Sequence, residues 1–155
     1  MAVRDGTIVG YLSGCVDSRR APSPVHALTR AALRFRTGTA GFLWRGLADS
    51  VREGGTPSGE IDDPRWPSHL HVNLLPDARG RGVGASLMHA WLARLRELGS
   101  PGCHLGTLAE NTGAVGFFER MGFARHGVPV LVPGMRPPAG GRHHLQLMVR
   151  DSRQP

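Results

Sequence analysis

The stretch HVNLLPDARGRGVGASL, residues 71–87, decides how the rest of the chain is read. It opens on alternating strand formers, with Val72 and Leu74 on one face and His71, Asn73 and Leu75 on the other. Pro76 stops that strand. Arg79-Gly80-Arg81-Gly82-Val83-Gly84 then makes a turn with little side-chain cover, and a helical pattern begins at Gly82. A strand, a bare loop and a helix N-terminus in succession leave the N–H groups of Arg81, Gly82, Val83, Gly84 and Ala85 pointing outward. The positive end of the helix dipole lies behind them. Phosphate or pyrophosphate is the natural occupant. Glycines at 80, 82 and 84 let the ligand reach the backbone closely, and Arg79 or Arg81 adds charge.

Working outward, Val83, Leu87, Trp91 and Leu95 recur every four residues, with Met88, Leu92 and Leu98 widening the stripe, so the helix is expected to run from Gly82 to about Leu98. Gly99-Ser100-Pro101-Gly102 ends it. Cys103–Leu108 reads as a strand and Asn111–Met121 as a helix with Ala114, Phe117, Phe118 and Met121 apolar. Gly122-Phe123 leads into a strand reaching about Leu131, residues 133–142 form a long turn, and His144–Val149 alternates as a last strand. Upstream, residues 7–16 read as a strand after an Asp5-Gly6 turn. Short amphipathic helices are expected over 25–35 and around 42–51, and 56–68 is loop. From residue 69 the order is β-α-β-α-β-β, and 155 residues suit one domain.

The formal charge is +7, all of the positive side is arginine, and the arginines are scattered with only Arg19-Arg20 adjacent. Such a distribution argues against a nucleic-acid surface. No apolar run approaches the roughly 20 residues of a membrane span, and the N-terminus is too polar for a signal peptide, so a cytoplasmic location without membrane partners is expected. Two cysteines, Cys15 and Cys103, are too few for a disulfide framework and are expected as buried thiols. Neither has a histidine partner suited to nucleophilic catalysis, and no G-x-S-x-G elbow exists.

Three motifs compete for the glycine-rich turn. A dinucleotide fingerprint needs a glycine at 85, where Ala stands, and an acidic residue near the end of the next strand, where Gly99–Leu105 has none. A Walker A loop needs a lysine, and the chain has none. The third, [QR]-x-x-G-x-[GA] between strand and helix, is met by Arg79, Gly82 and Gly84. About 30 residues on comes Asn111-x-x-Ala114-x-x-Phe117-Phe118-Glu119-x-x-Gly122-Phe123. Together the two motifs resemble the GCN5-related N-acetyltransferase (GNAT) superfamily over residues 69–150. The wording PSHLHVNLLPDARGRGVG is also similar to the acetyltransferase-like region attached to O-GlcNAcases and its free-standing bacterial relatives.

The resemblance implies an α/β fold with a mixed central sheet whose middle strands splay, flanked by helices. It implies acetyl-CoA as cosubstrate, no metal, and an amine acceptor. Arg79 to Ala85 would hold the pyrophosphate, and the backbone edge of Val72, Asn73 and Leu74 would pair with the pantetheine amides as an added strand does. Asn111 would contact the coenzyme arm and Phe118 would lie by the thioester. Catalysis would be direct attack by a neutral amine, with a backbone N–H at Asn73 or Leu74 for the oxyanion. His71 is the leading candidate base, beside His69, Asp62, Asp63 and His104. Two departures stand out. Many relatives carry a tyrosine where Phe118 stands, which opens the alternative of an acyl-CoA-binding module without turnover. The family's first strand and helices are expected to be missing or shortened here, so Phe42, Trp44 and Trp66 are candidates for the acceptor wall, and dimerisation over an exposed edge is expected. Metal binding by His69 and His71 lacks a third ligand, and His143 and His144 are expected on opposite faces of their strand.

Overall fold

The computed structural model describes residues 1–20, 61–133, 135 and 140–153. Its strands are β1 (Ala2–Arg4), β2 (Thr7–Cys15), β3 (Ser68–Leu74), β4 (Gly102–Leu108), β5 (Ala124–Leu131) and β6 (His144–Asp151). Its helices are α1 (Val83–Glu97) and α2 (Thr112–Arg120), with short 3-10 turns at Ser18–Arg20 and Pro76–Ala78. The six strands form one mixed sheet in the order β1-β2-β3-β4-β6-β5. The element boundaries agree with the periodicity to within a residue or two wherever both exist. The helices expected over 25–35 and 42–51 lie outside the described residues, as do Phe42 and Trp44.

The pairing across the middle of the sheet is the feature that matters for function. β3 and β4 run parallel and pair only at Ser68↔Cys103 and His69↔His104. Beyond His69 the strands diverge. β3 continues paired with β2 as far as Gly10↔Leu74, and β4 continues paired with β6 as far as Leu108↔Leu145. The edge of β3 from Leu70 to Leu74 therefore faces a gap where a neighbouring strand would ordinarily be.

One sheet face carries both helices. Leu70, Cys103, Leu105 and Met148 project from it and pack with Met88, Leu92 and Leu95 of α1 and with Val115, Phe118, Met121 and Phe123. The four-residue repeat of α1 and the period-2 strands converge on this one layer, as a buried stripe and a buried face must. α1 ends in paired bonds from Ser100 N–H to the Leu95 carbonyl (2.9 Å) and from Gly99 N–H to the Arg96 carbonyl (3.1 Å). Gly99 sits at φ +68°, and the terminal carbonyls are thereby satisfied. Gly122 closes α2 with the same arrangement.

Three readings are corrected. β1 adds a strand to those expected: its three residues are too few for a periodic signal, and the hairpin through the expected Asp5-Gly6 turn creates it. Cys15 is exposed, whereas Cys103 is buried. The physical reason is register: Gly14 faces α1, so Cys15 points the other way, where its thiol reaches the Asp17 carbonyl (3.3 Å). Trp66 does not face the gap. Its ring lies beside Gly102 and edge-on to His126, and its Nε1 donates to Asp151 (3.0 Å). Among the described residues, no helix is long and apolar enough to cross a membrane.

The Gly14 position gives a stability prediction. A Cβ there would lie 2.6 Å from Trp91 Cη2 and 2.8 Å from the His69 carbonyl oxygen. The carbonyl belongs to the sheet and cannot yield. Gly14→Ala is expected to destabilise by about 1–3 kcal/mol, read as a lowered urea midpoint with an unchanged m-value.

Candidate active site

The gap between β3 and β4 opens into a cavity of about 790 Å³. Its walls are β3 from Leu70 to Leu74, β4 from Leu105 to Leu108, the loop at Arg79, Gly80 and Gly82, the first turn of α1, and the α2 side from Asn111 to Arg120. At one end stands the glycine-rich loop. Gly82 is the N-cap of α1, at φ +77°, and no side chain caps the helix. The first helical hydrogen bond runs from Ser86 N–H to the Gly82 carbonyl (3.0 Å). The N–H groups of Val83, Gly84 and Ala85 precede that ladder, so they remain available to a ligand. Gly84 is buried where Leu74 and Phe117 meet: a Cβ there would lie 3.2 Å from Leu74 Cδ1 and 3.2 Å from Phe117 Cζ. A larger residue would narrow the passage between strand and helix. Arg79 lines the cavity, with its Nη2 donating to the Leu74 carbonyl (3.4 Å). Arg81 and Val83 are not in the lining; what they offer the loop is backbone.

Asn111 combines two roles that its sequence position left open. Its Oδ1 accepts from Ala114 N–H (3.1 Å) and so caps α2, and the residue also lines the cavity. The Phe118 ring lines the cavity too, edge-on to Phe117 (5.2 Å) and Phe123 (5.9 Å).

The strand–loop–helix cradle, the splayed parallel pair and the capped second helix make one cleft. The family model of the GNAT acetyltransferases matches residues 1–123. The chain belongs to the GNAT family. A mycothiol acetyltransferase of Cellulomonas flavigena is 43% identical over 84 residues, which are 54% of this chain and 24% of that protein. One from Pseudarthrobacter chlorophenolicus is 34% identical over 114 residues, 68% of this chain and 35% of that protein. The chain thus spans about a third or less of the length of these relatives. The crystal structure of a ribosomal-protein-alanine N-acetyltransferase from Brucella melitensis is 19% identical and superposes with a TM-score of 0.56, covering 97% of this chain and 65% of that one. That likeness concerns the fold. None of these matches bears on the finer similarity to the O-GlcNAcase-attached domain.

The GNAT donor is acetyl-CoA, and the cleft fits its chemistry. The cradle of free N–H groups suits a pyrophosphate. The unpaired edge of β3 suits an amide-bearing arm. A Cβ at Gly84 would press on the Leu74 and Phe117 side chains that border the cleft there. Among the described residues, no group of three or more His, Cys, Asp or Glu could hold a metal ion.

On the sheet face away from α1 and α2, the histidines of the GNAT core form a row. His71 is exposed and lines the cavity. Its ring meets His69 edge-on with centroids 4.5 Å apart, and His69 stacks on His104 at 4.9 Å. His104 is fully buried. Its Nδ1 donates to the Trp66 carbonyl (2.7 Å) and its Nε2 accepts from Ile61 N–H (3.4 Å), which fixes the tautomer. Asn73 projects to the same face, and its Nδ2 donates to the hydroxyl of Tyr11 (3.2 Å), its cross-strand partner. Tyr11 is the one tyrosine of the chain, and nothing in its own neighbourhood along the sequence points to this site. Only the β2–β3 register brings it there. Asp62 and Asp63 do not line the cavity; Asp63 is bound to Arg65 (2.8 Å). His143 and His144, expected to diverge, instead converge on Glu110, at 3.5 Å and 2.8 Å. His143 precedes β6, so strand alternation does not apply to it.

Burial, and the neighbouring His104 and His71, push the His69 imidazole down to about 4. In the unfolded chain it titrates near 6.5. The unfolded state thus binds more protons between those values, and stability is lost as pH falls through this window. His69→Gln is expected to flatten the slope of unfolding free energy against pH between about 6.5 and 4. Glu110 and Asp63, both held down to about 2 by hydrogen-bonding partners, act below that window.

Proposed function

We propose that the chain transfers an acetyl group from acetyl-CoA to an amine by direct attack. The observation that carries the reading is the splay after His69, with a backbone anion cradle at one end of the cleft and His71 at the other. On this reading the pyrophosphate sits on the N–H groups around Gly82 to Ala85, and the pantetheine amides pair with the free edge of Val72 to Leu74. The Asn111 amide nitrogen, left over from capping, meets the coenzyme arm. The amine enters on the histidine face. His71 takes its proton as the nitrogen bonds to the thioester carbon, and a β3 N–H that faces the gap, at Val72 or Leu74, receives the developing oxyanion; the Asn73 N–H expected for that role is turned toward β2, as is that of Leu75, which donates to the Val9 carbonyl (2.9 Å). The carbon–sulfur bond breaks and the coenzyme leaves as thiolate.

Phe118 supports a second reading. A phenyl ring cannot protonate the departing thiolate, so a chain that binds acyl-CoA without turning it over fits the same cleft. Titration calorimetry with acetyl-CoA, followed by a thiol-release assay over a panel of amines, separates the possibilities. The enzyme reading expects saturable binding and amine-dependent release of coenzyme A above background hydrolysis. Binding with no release for any amine favours the second reading, and absence of binding removes both.

A further inference from the structure

Coenzyme A carries a pyrophosphate and, separately, a 3′-phosphate on its ribose. The glycine-rich loop accounts for the first. The second is a compact dianion that needs a cation of its own. Two cationic side chains line the cavity, Arg79 and Arg120, and no carboxylate lines it. Arg79 belongs to the loop and is turned back onto the Leu74 carbonyl. Arg120 is different. It lies in the last turn of α2 and lines the cleft, and its side chain folds back along the helix, so that Nη1 comes 3.4 Å from where a Cβ on Gly116 would sit. Gly113 and Gly116 leave this side of α2 bare, at a cost of about 1 kcal/mol each in helix propensity. The neighbouring acid is already engaged: Glu119 pairs with Arg125 at 2.8 Å. Among the described residues no acidic partner holds Arg120.

We propose that Arg120 is the 3′-phosphate subsite of the donor, so that the chain distinguishes coenzyme A from 3′-dephospho-coenzyme A. The inference rests on the acetyl-CoA reading above. Gly116 keeps the surface of α2 low enough for the guanidinium to lie across it, and the planar fork presents paired N–H donors to phosphate oxygens. Arg120 is exposed, so its replacement leaves the core intact.

The test is calorimetric titration of the full chain with coenzyme A and with 3′-dephospho-coenzyme A. The wild-type protein, Arg120→Gln, Arg120→Lys and Arg81→Gln are compared. Wild type is expected to prefer coenzyme A by about tenfold or more, as a charge-assisted contact allows. Arg120→Gln is expected to lose that preference by weakening coenzyme A alone, Arg120→Lys to restore part of it, and Arg81→Gln to keep the ratio. Equal weakening of both ligands by Arg120→Gln, an unchanged ratio, or no preference in the wild type would overturn the assignment while leaving donor binding intact. Failure of the wild type to bind either ligand would instead sink the acetyl-CoA reading, and this subsite with it.

Discussion

Gly82→Asp is expected to weaken acetyl-CoA binding at least about a hundredfold, because it sets a carboxylate where the proposed function seats the pyrophosphate. Two unit charges about 4 Å apart repel by roughly 4 kcal/mol at an effective dielectric near 20, and the pyrophosphate carries more than one. The position suits such a test. No atom lies within 4 Å of a Cβ built on Gly82, so the substitution meets no clash. Its φ of +77° is left-handed, a region that Asp and Asn tolerate better than other residues with a side chain. Gly82→Asn has the same shape without the charge and is expected to retain binding within about tenfold of wild type. Calorimetry on the pair isolates the electrostatic part. Equal losses in the two variants would mean that backbone freedom, not anion recognition, is what Gly82 supplies.

His71→Ala is expected to lower kcat by roughly 10²–10⁴-fold with the affinity for acetyl-CoA unchanged within about twofold, as loss of a general base at a site apart from the coenzyme would. The separation follows from position. His71 lies on the sheet face away from the helices, while the cradle is built from loop and helix backbone. Steady-state rates measured against pH, with donor affinity measured in parallel, read the two quantities independently. A variant that keeps its kcat assigns the proton to water. One that loses donor affinity in step with rate makes His71 part of the donor site.

That the glycine-rich loop and β3 wall one cleft was legible in the sequence because the arrangement is local. Strand, loop and helix follow one another from His71 to Leu87, and the role proposed for the loop depends on the backbone, which glycine spacing reports directly. Asn111 and Phe118 were legible for the same reason, each fixed by its place in a short helix. The acceptor half was not, because it depends on partners far apart in the chain. Tyr11 meets Asn73 across a strand pair although the two lie 62 residues apart in the chain, and His104 joins His69 only through the two surviving parallel pairs. The convergence of His143 and His144 on Glu110 likewise comes from the β4–β6 connection, where strand alternation from sequence gave the opposite expectation. Cys15 is exposed against expectation because residue type argues for burial whereas register decides which face it takes. Arg120 left a trace in the spacing of Gly113, Gly116 and Arg120, but that pattern acquires meaning only once the opposite wall of the cavity is known.

A sheet joined at its centre by two rungs has a consequence for cooperativity. β1–β3 and β4–β6 are each laced by long antiparallel ladders, while the seam between them is held by Ser68 and His69 and by the helices above. Local opening tends to follow such seams, so the two halves are expected to behave as separate units in an amide-exchange measurement. An occupant that hydrogen-bonds along the edge of β3 supplies rungs the chain itself lacks. The loaded protein would then exchange as one unit and the empty one as two, and each departure of product would return the sheet to its divided state.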